Sequence, residues 1–291
     1  MPTVAMIGLG KMGMPIAGNL LDRGFQVVGF RRHPSSELVA LGGTSVSCAA
    51  EAAENADVIV SILPDYQAVH TVVSGPRGTL ETMRPGTVHI EMSTIDVVAK
   101  LVLRDAVRVR GADMLDCPIS GSPSMVKPRL ATTFASGEQA SVDAVRDVLD
   151  AISGPWVYTG EFGTGAWMKY ISNLLVAVHT VATAEALNLA RRSGLDLHLV
   201  QDTLNDSIAS SAIWRQRGPV MQRREWTPAP GPVHTLHDIL EQIEQHATSL
   251  GLTLPVFASA KAAFDRAVTK GGGDLDIASV YDQIESDEHL Q

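Results

Sequence analysis

The first thirty residues constrain the fold more than any other part of this 291-residue chain. An apolar strand, Thr3–Ile7, leads directly into the turn Gly8-Leu9-Gly10-Lys11-Met12-Gly13, and a helix-patterned stretch and a second apolar strand ending at Phe30 follow. This order of strand, glycine turn, helix and strand is typical of a βαβ unit that binds a dinucleotide. The glycines allow the tight turn, the approach of the pyrophosphate and close packing, while the helix N-terminus holds the phosphates. We therefore predict that these six turn residues bind the cofactor.

The end of the second strand predicts which dinucleotide is bound. The sequence Gly29-Phe30-Arg31-Arg32-His33-Pro34 has no carboxylate where NAD enzymes usually hold the ribose 2′-OH. The planar fork of arginine suits a 2′-phosphate, and a charge-assisted bond contributes roughly 1.5–3 kcal/mol. We expect Arg31 and Arg32 to bind NADP(H); the alternative is that both are solvated loop charges. The absence of a carboxylate after this strand also argues against an S-adenosylmethionine enzyme, in which a carboxylate usually holds the ribose at this place.

The composition narrows the partners and the compartment. A net charge of −9 and a pI of about 5.4 argue against a general surface for nucleic acid or anionic membranes. Two cysteines, Cys48 and Cys117, fit a reducing compartment, and the nine histidines show no metal-ligand spacing, so no metal site is predicted. The first strand begins at residue 3, and no apolar run is expected to reach the length of a membrane span. We expect a cytoplasmic protein.

Further strand patterns end in polar loops where ligands of open α/β sheets bind. Residues 56–63 are nearly all apolar, as in a parallel sheet covered on both faces, and they end at Leu63 and Pro64. Residues 87–92 end at Ser93 and Thr94. All four loop residues are candidate cofactor contacts, although Ser93 and Thr94 would equally serve as caps of the helix that follows.

A change of pattern after Gly165 predicts a second domain. Residues 166–193 have helical spacing until Gly194, and the remainder looks helical with breaks at 194–196, 227–232 and 271–273. We predict an α/β domain over residues 1–161, built on a doubly wound, mostly parallel sheet that binds NADP. An all-helical domain over residues 162–291 would serve substrate binding and dimerisation.

Four segments resemble the β-hydroxyacid dehydrogenase family, and the similarity runs along nearly the whole chain. The segments are Gly8-Leu-Gly-Lys-Met-Gly-Met-Pro-Ile-Ala-Gly-Asn-Leu20, Asp116-Cys-Pro-Ile-Ser-Gly-Ser122, Gly163-Thr-Gly-Ala-Trp-Met-Lys-Tyr-Ile-Ser-Asn173 and Gly272-Gly-Asp-Leu-Asp276. They resemble, in order, the cofactor signature, the substrate segment, the catalytic segment and a recurring patch near the C-terminus. The resemblance implies a Rossmann-like N-terminal domain, a helical C-terminal domain and a cleft between them.

The residue types in these segments suit the reduction of a carbonyl group by hydride. Lys169 is the candidate general acid, because a cationic donor stabilises the alkoxide that develops in the transition state. Burial would lower its pKa towards the working pH, and the neutral amine would accept the alcohol proton in the reverse reaction. Asn173, four residues later on the same helical face, would orient the ligand. The small residues Ser120, Gly121 and Ser122 would offer hydroxyl and N–H groups to a substrate carboxylate.

One position departs from the family pattern. The family usually has a Lys-Asp pair in the helical domain, whereas this chain has His237 and Asp238, followed by Gly251-Leu-Thr-Leu-Pro255. The resemblance assigns both residues to substrate binding. Because the charge of histidine is conditional near neutral pH, the replacement predicts a less anionic substrate or pH-dependent affinity.

The resulting hypothesis is an NADP(H)-dependent reductase of a small aldehyde or keto acid, reversible toward the 3-hydroxy acid. An imine reductase of the same architecture is the nearest alternative, but those enzymes generally lack the catalytic lysine. A redox-silent dinucleotide-binding sensor or scaffold is the second alternative. The long apolar helix and the family resemblance together predict a homodimer.

Overall fold

The computed structural model describes residues 2–287 and divides them into two compact units. One unit ends at Lys169 and the other begins at Tyr170. The sequence prediction places the domain boundary at 161, before the long helix, whereas the division by packing falls inside that helix. The reason is local: the backbone N–H of Ala166, in the first turn, donates to the Asp116 carboxylate of the first unit at 2.8 Å.

The first unit contains a nine-stranded, mostly parallel sheet. Its strands are β1 Thr3–Ile7, β2 Gln26–Phe30, β3 Thr44–Val46, β4 Val58–Ser61, β5 Val88–Glu91, β6 Asp113–Asp116, β7 Ile119–Ser120, β8 Thr132–Ser136 and β9 Trp156–Gly160. The order β3-β2-β1-β4-β5-β6 is parallel throughout and is that of two βαβαβ halves. Strand β8 runs antiparallel to β6 and β7, and β9 pairs with β8. The predicted doubly wound sheet is therefore confirmed.

Helices cover both faces of this sheet, which explains the nearly continuous apolar strands. They are α1 Gly13–Asp22, α2 Ser36–Ala40, α3 Ala49–Ala53, α4 Tyr66–Ser74, α5 Val97–Val109, α6 Pro123–Val126, α7 Gln139–Ala144 and α8 Arg146–Ile152, with a 3₁₀ turn at Thr79–Glu81. Strand β1 shows the alternation: Val4 and Met6 lie in one core, and Ala5 and Ile7 lie in the other.

The second unit is helical, as predicted. The helices of the C-terminal part are α9 Thr164–Arg192, which begins in the first unit, α10 Leu197–Asn205, α11 Ala212–Arg223, α12 Val233–Ser249, α13 Pro255–Thr269 and α14 Val280–Asp287, with a 3₁₀ turn at Ile277–Ser279. The three predicted breaks fall between helices. Two further loops, 206–211 and 250–254, were not predicted, although Gly251 and Pro255 are ordinary signals for the end of one helix and the start of the next.

Helix α9 corrects one sequence expectation. It has 29 residues, and an 18-residue window reaches a mean hydropathy of 1.2, so by length and composition it is long and apolar enough to cross a membrane. The expectation that no apolar run reaches this length was wrong. Core helices pass the same test, and Ala177, Val181 and Leu187 of α9 lie in the hydrophobic cores of the second unit. The helix is thus weak evidence for a membrane span.

Candidate cofactor and active site

The glycine turn after β1 is shaped by two close approaches. Gly8 has φ +97°, and a Cβ there would lie 2.3 Å from the carbonyl oxygen of Ile62. A Cβ on Gly13, the first residue of α1, would lie 1.8 Å from the carbonyl oxygen of Gly8. Because these contacts are with backbone atoms, neither position accepts a side chain. A Cβ on Gly10, by contrast, would meet nothing within 4 Å, so this glycine borders open space.

The same turn offers backbone donors. Within residues 2–287, the N–H groups of Gly10, Met12 and Gly13 donate no hydrogen bond, and they lie at the N-terminus of α1. Such groups, with the positive end of the helix dipole, bind anions. Open space beside Gly10 and free donors next to it fit a pyrophosphate, so the turn fits the dinucleotide that the sequence predicts.

A groove of about 1120 Å³ adjoins this turn in the first unit. Gly10, Lys11 and Arg31 line it, so the structure brings one predicted phosphate ligand to the same groove as the glycine turn. Arg32 is exposed on the adjoining loop. Two carboxylates, Asp22 and Glu37, also line the groove, so both signs of charge face the space that a dinucleotide would enter.

The loops after β4 and β5 are joined by hydrogen bonds. The N–H of Leu63 donates to Ser93 Oγ at 2.9 Å, and the N–H of Ser93 donates to Glu91 Oε1 at 2.6 Å. Pro64 is exposed and Thr94 is partly buried beside them. The structure thus brings the predicted strand-end residues together. The alternative that Ser93 or Thr94 caps α5 is wrong, because Asp96 caps it by accepting from the N–H of Ala99.

A buried polar network under these loops was missed by the sequence interpretation. Ser61 Oγ donates to the carboxylate of Glu91 and lies 2.6 Å from His89 Nε2. Burial lowers the pKa of His89 to about 3, so its ring is neutral, and burial raises the pKa of Glu91. The sequence did contain a signal for this network, because His89 and Glu91 are titratable residues at alternate positions of the central strand β5.

The predicted substrate segment leaves the sheet immediately after β7. Ser120 ends that strand, and Gly121 has φ +145°, a conformation that favours glycine. Ser122 precedes α6, and its Oγ lies 2.9 Å from Ser124 Oγ. The structure therefore places three small residues in succession at a turn.

Lys169 is partly buried near the start of α9. Its ammonium forms no hydrogen bond or ion pair with any residue in the described range 2–287. Burial lowers the pKa of Lys169 from 10.5 to about 8, because desolvation disfavours the charged form. A lysine with this pKa is mostly protonated at neutral pH, and it can both donate and accept a proton at pH values close to neutral.

Asn173, four residues later in α9, is buried with 6% of its surface exposed. Its Nδ2 has no hydrogen-bond acceptor in the part of the chain that the structure describes. A buried amide without a hydrogen-bond partner lowers the stability of the fold by roughly 1–3 kcal/mol. An unpartnered Asn173 amide is therefore more typical of a ligand site than of a packing position.

His237 lies in a cluster of charged residues on α12 and α13. Its Nε2 is 2.9 Å from Asp265 Oδ1, and Lys261 Nζ is 3.1 Å from the same oxygen and 3.3 Å from Glu241 Oε1. Asp238 is largely exposed. His237, Glu241 and Asp265 have the spacing of metal ligands, and the Lys261 ammonium pairs with both of these carboxylates. The sequence analysis did not identify this cluster, because His237 and Asp265 lie on different helices and are 28 positions apart in the chain.

Two family models together match most of the chain. The NAD-binding domain of 6-phosphogluconate dehydrogenase matches residues 3–160, and the NAD-binding domain of NADP-dependent 3-hydroxyisobutyrate dehydrogenase matches residues 163–284. The chain belongs to the β-hydroxyacid dehydrogenase family. Members of this family are oxidoreductases with a nicotinamide dinucleotide cofactor, which agrees with the glycine turn described above.

Relatives within the β-hydroxyacid dehydrogenase family match over nearly their full length. Glyoxylate/succinic semialdehyde reductase 1 of Arabidopsis thaliana is 30% identical over 97% of this chain and 98% of its own. The 2-hydroxy-3-oxopropionate reductase of Escherichia coli is 30% identical over 97% of each chain. The crystal structure of 3-hydroxyisobutyrate dehydrogenase from Salmonella typhimurium, 28% identical, matches 97% of this chain and 99% of its own with a TM-score of 0.89.

Proposed function

We propose that the protein is an NADP(H)-dependent reductase that interconverts a small aldehyde or keto acid and the corresponding hydroxy acid, with Lys169 as general acid and base. The observation that carries the proposal is the partly buried Lys169 ammonium, which has no partner within residues 2–287 and a pKa of about 8. The relatives named as semialdehyde and oxopropionate reductases support a small substrate that carries both a carbonyl group and a carboxylate.

The nicotinamide, when bound, supplies hydride to the carbonyl carbon. The Lys169 ammonium would donate a hydrogen bond to the carbonyl oxygen and transfer its proton as negative charge develops there. In the oxidation direction the neutral amine would remove the hydroxyl proton. Asn173 Nδ2, which lacks an acceptor among the described residues, would donate to the same ligand and orient it. Ser120, Gly121 and Ser122 would hold the carboxylate.

Arg31 supports the preference for NADP(H), because it lines the same groove as Gly10 and Lys11 and forms no ion pair in the described range 2–287. Glu37, in the same groove, offers a carboxylate to a ribose hydroxyl. The two side chains favour different cofactors, so the test compares NADPH with NADH directly.

Lys169 also distinguishes the proposed reductase from its two alternatives. An imine reductase or a redox-silent sensor does not need a lysine of lowered pKa at this place.

We further propose a homodimer, in which the exposed apolar side chains Ile171, Leu175 and Leu189 of α9 contact a second copy. These side chains are 57%, 47% and 70% exposed.

The test measures NADPH and NADH oxidation with glyoxylate, succinic semialdehyde, tartronate semialdehyde, methylmalonate semialdehyde and one cyclic imine. We expect NADPH oxidation with at least one carbonyl acid, and a fall of roughly 10²–10⁴ in turnover for Lys169→Ala while NADPH still binds. Lys270→Ala, at an exposed lysine that does not line the groove, is the control. Activity that survives in Lys169→Ala contradicts the mechanism, and oxidation with the imine alone moves the protein to the neighbouring class.

The cofactor preference has its own variant. Arg31→Ala with Arg32→Ala should weaken NADPH binding roughly ten- to a hundred-fold and NADH binding little, because only NADPH has the 2′-phosphate. Arg23→Ala, an exposed arginine next to α1, is the control. Equal losses for both cofactors would exclude these arginines from recognition of the 2′-phosphate.

A further inference from the structure

Asp116, the last residue of β6, is fully buried and uses both carboxylate oxygens. Its Oδ1 lies 2.6 Å from Nζ of Lys100, a lysine of α5 that is itself 0% exposed. Its Oδ2 accepts from the N–H of Ala166 at 2.8 Å and from Ser136 Oγ at 3.2 Å. One carboxylate therefore joins β6, α5, β8 and the start of α9.

The contact with Ala166 acts as a cap on α9 that comes from a distant part of the chain. Ala166 is the third residue of the helix, and its N–H is one of the four that no helical carbonyl can accept. A negative charge at this end is also favoured by the helix dipole. A Cβ on the neighbouring Gly165 would lie 2.8 Å from Asp116 O and 2.6 Å from Phe134 O. The first turn therefore packs directly against the sheet and has no room to move closer to it.

Lys100 makes this arrangement possible. A buried carboxylate without a counter-charge loses its solvation uncompensated, and removal of one member of a buried ion pair is strongly destabilising for that reason. The ammonium of Lys100 balances the charge on Oδ1 and leaves Oδ2 free to face α9.

We propose that Asp116, balanced by Lys100, is a positioning residue that fixes the first turn of α9 and thereby the location of the Lys169 ammonium. Lys169 follows Ala166 by three residues, about one turn along the same helix. A displacement of roughly 1 Å at a reacting group can cost on the order of 10² in rate. The inference rests on the catalytic role of Lys169 proposed above.

The test compares two variants in which neither buried charge is present. Lys100→Met with Asp116→Asn keeps an amide oxygen that can accept from Ala166, whereas Lys100→Met with Asp116→Ala does not. We expect the first double variant to keep kcat within about threefold of wild type and the second to lose roughly 10- to 100-fold in kcat, with KM for NADPH unchanged in both. Amide exchange of residues 164–169 should be faster in the second variant alone.

Asp113→Asn is the matched control, because Asp113 begins the same strand and pairs with Arg108 of the same helix at 2.9 Å, at the far end from Lys169. It should leave kcat and the exchange of residues 164–169 unchanged. Equal kcat in both double variants, or equal exchange of residues 164–169, overturns the positioning role. If Lys169→Ala stays fully active while the exchange difference appears, the cap exists and it is the proposed function that has failed.

Discussion

Replacement of Lys169 by methionine should make the protein more stable and nearly inactive at the same time. Burial lowers the pKa of Lys169 from 10.5 to about 8, so at pH 7 the folded chain carries a protonated amine in surroundings that disfavour it. Methionine has a similar length without the charge. The substitution therefore removes a cost of folding together with the proton donor, as expected where function is maintained at the expense of stability.

The size of the effect follows from the pKa. The difference between 10.5 and about 8, at roughly 1.36 kcal/mol for each tenfold change in acidity, corresponds to about 3 kcal/mol. Lys169 keeps partial exposure, and water screens part of this cost, so we expect a gain of about 1–3 kcal/mol in the free energy of unfolding at pH 7.

The pH dependence identifies the cause. Because the folded pKa lies below the unfolded one, the cost is complete below pH 8, shrinks as the pH rises through that value, and disappears above 10.5. The advantage of Lys169→Met should therefore fall to less than about 1.5 kcal/mol at pH 9.5.

Urea unfolding of wild type and Lys169→Met at pH 7.0 and 9.5 measures both quantities. Lys127→Met, at an exposed lysine of the same unit, should show no such difference at either pH. The reasoning is refuted if Lys169→Met is less stable than wild type at pH 7, or if its advantage is the same at both pH values.

Two further predictions concern the glycine turn and the long helix. Gly13→Ala should lower the melting temperature, because its Cβ would lie 1.8 Å from the Gly8 carbonyl oxygen, whereas Gly10→Ala should melt like wild type and lose NADPH affinity in a fluorescence titration. A Gly10→Ala protein that binds NADPH normally would contradict the phosphate site. Leu175→Glu should convert a homodimer to the 31.0 kDa monomer in sedimentation velocity, with unchanged circular dichroism; a wild-type monomer would contradict the dimer.

The first βα unit was predictable because its signals are local. Strand β1 has the predicted bounds Thr3–Ile7, since a short apolar run that ends in a glycine turn has few other solutions. Gly8 and Gly13 are identified from their spacing alone, and the contact of Gly13 with Gly8 lies within six residues, although Gly8 itself approaches the distant Ile62. Helix α9 was predicted as 166–193 and runs over Thr164–Arg192, because a long apolar stretch without proline or glycine favours one continuous helix.

The features that the sequence did not predict depend on contacts between distant residues. Strand β7 has two residues, too few for an alternating pattern, and β8 mixes threonine and serine with apolar residues. Lys100 lies in a helix with several other charged residues, so its sequence context predicts a solvent-exposed side chain. In the structure it is fully buried against Asp116. His237 was read from the family pattern as a substrate ligand, while Asp265, its hydrogen-bond partner, has no local signature.

The contact between Asp116 and the first turn of α9 also limits how this protein can exchange parts with its relatives. The loop before residue 164 looks like a natural crossover point for recombination, yet a fragment ending there would leave Asp116 Oδ2 without the donor that Ala166 supplies. A helical half taken from another protein would have to bring a glycine in the place of Gly165, because any side chain there would meet the Asp116 and Phe134 carbonyls. Residues 116 and 165–166, fifty positions apart, are therefore expected to be inherited as one unit, and functional chimaeras should join beyond Lys169.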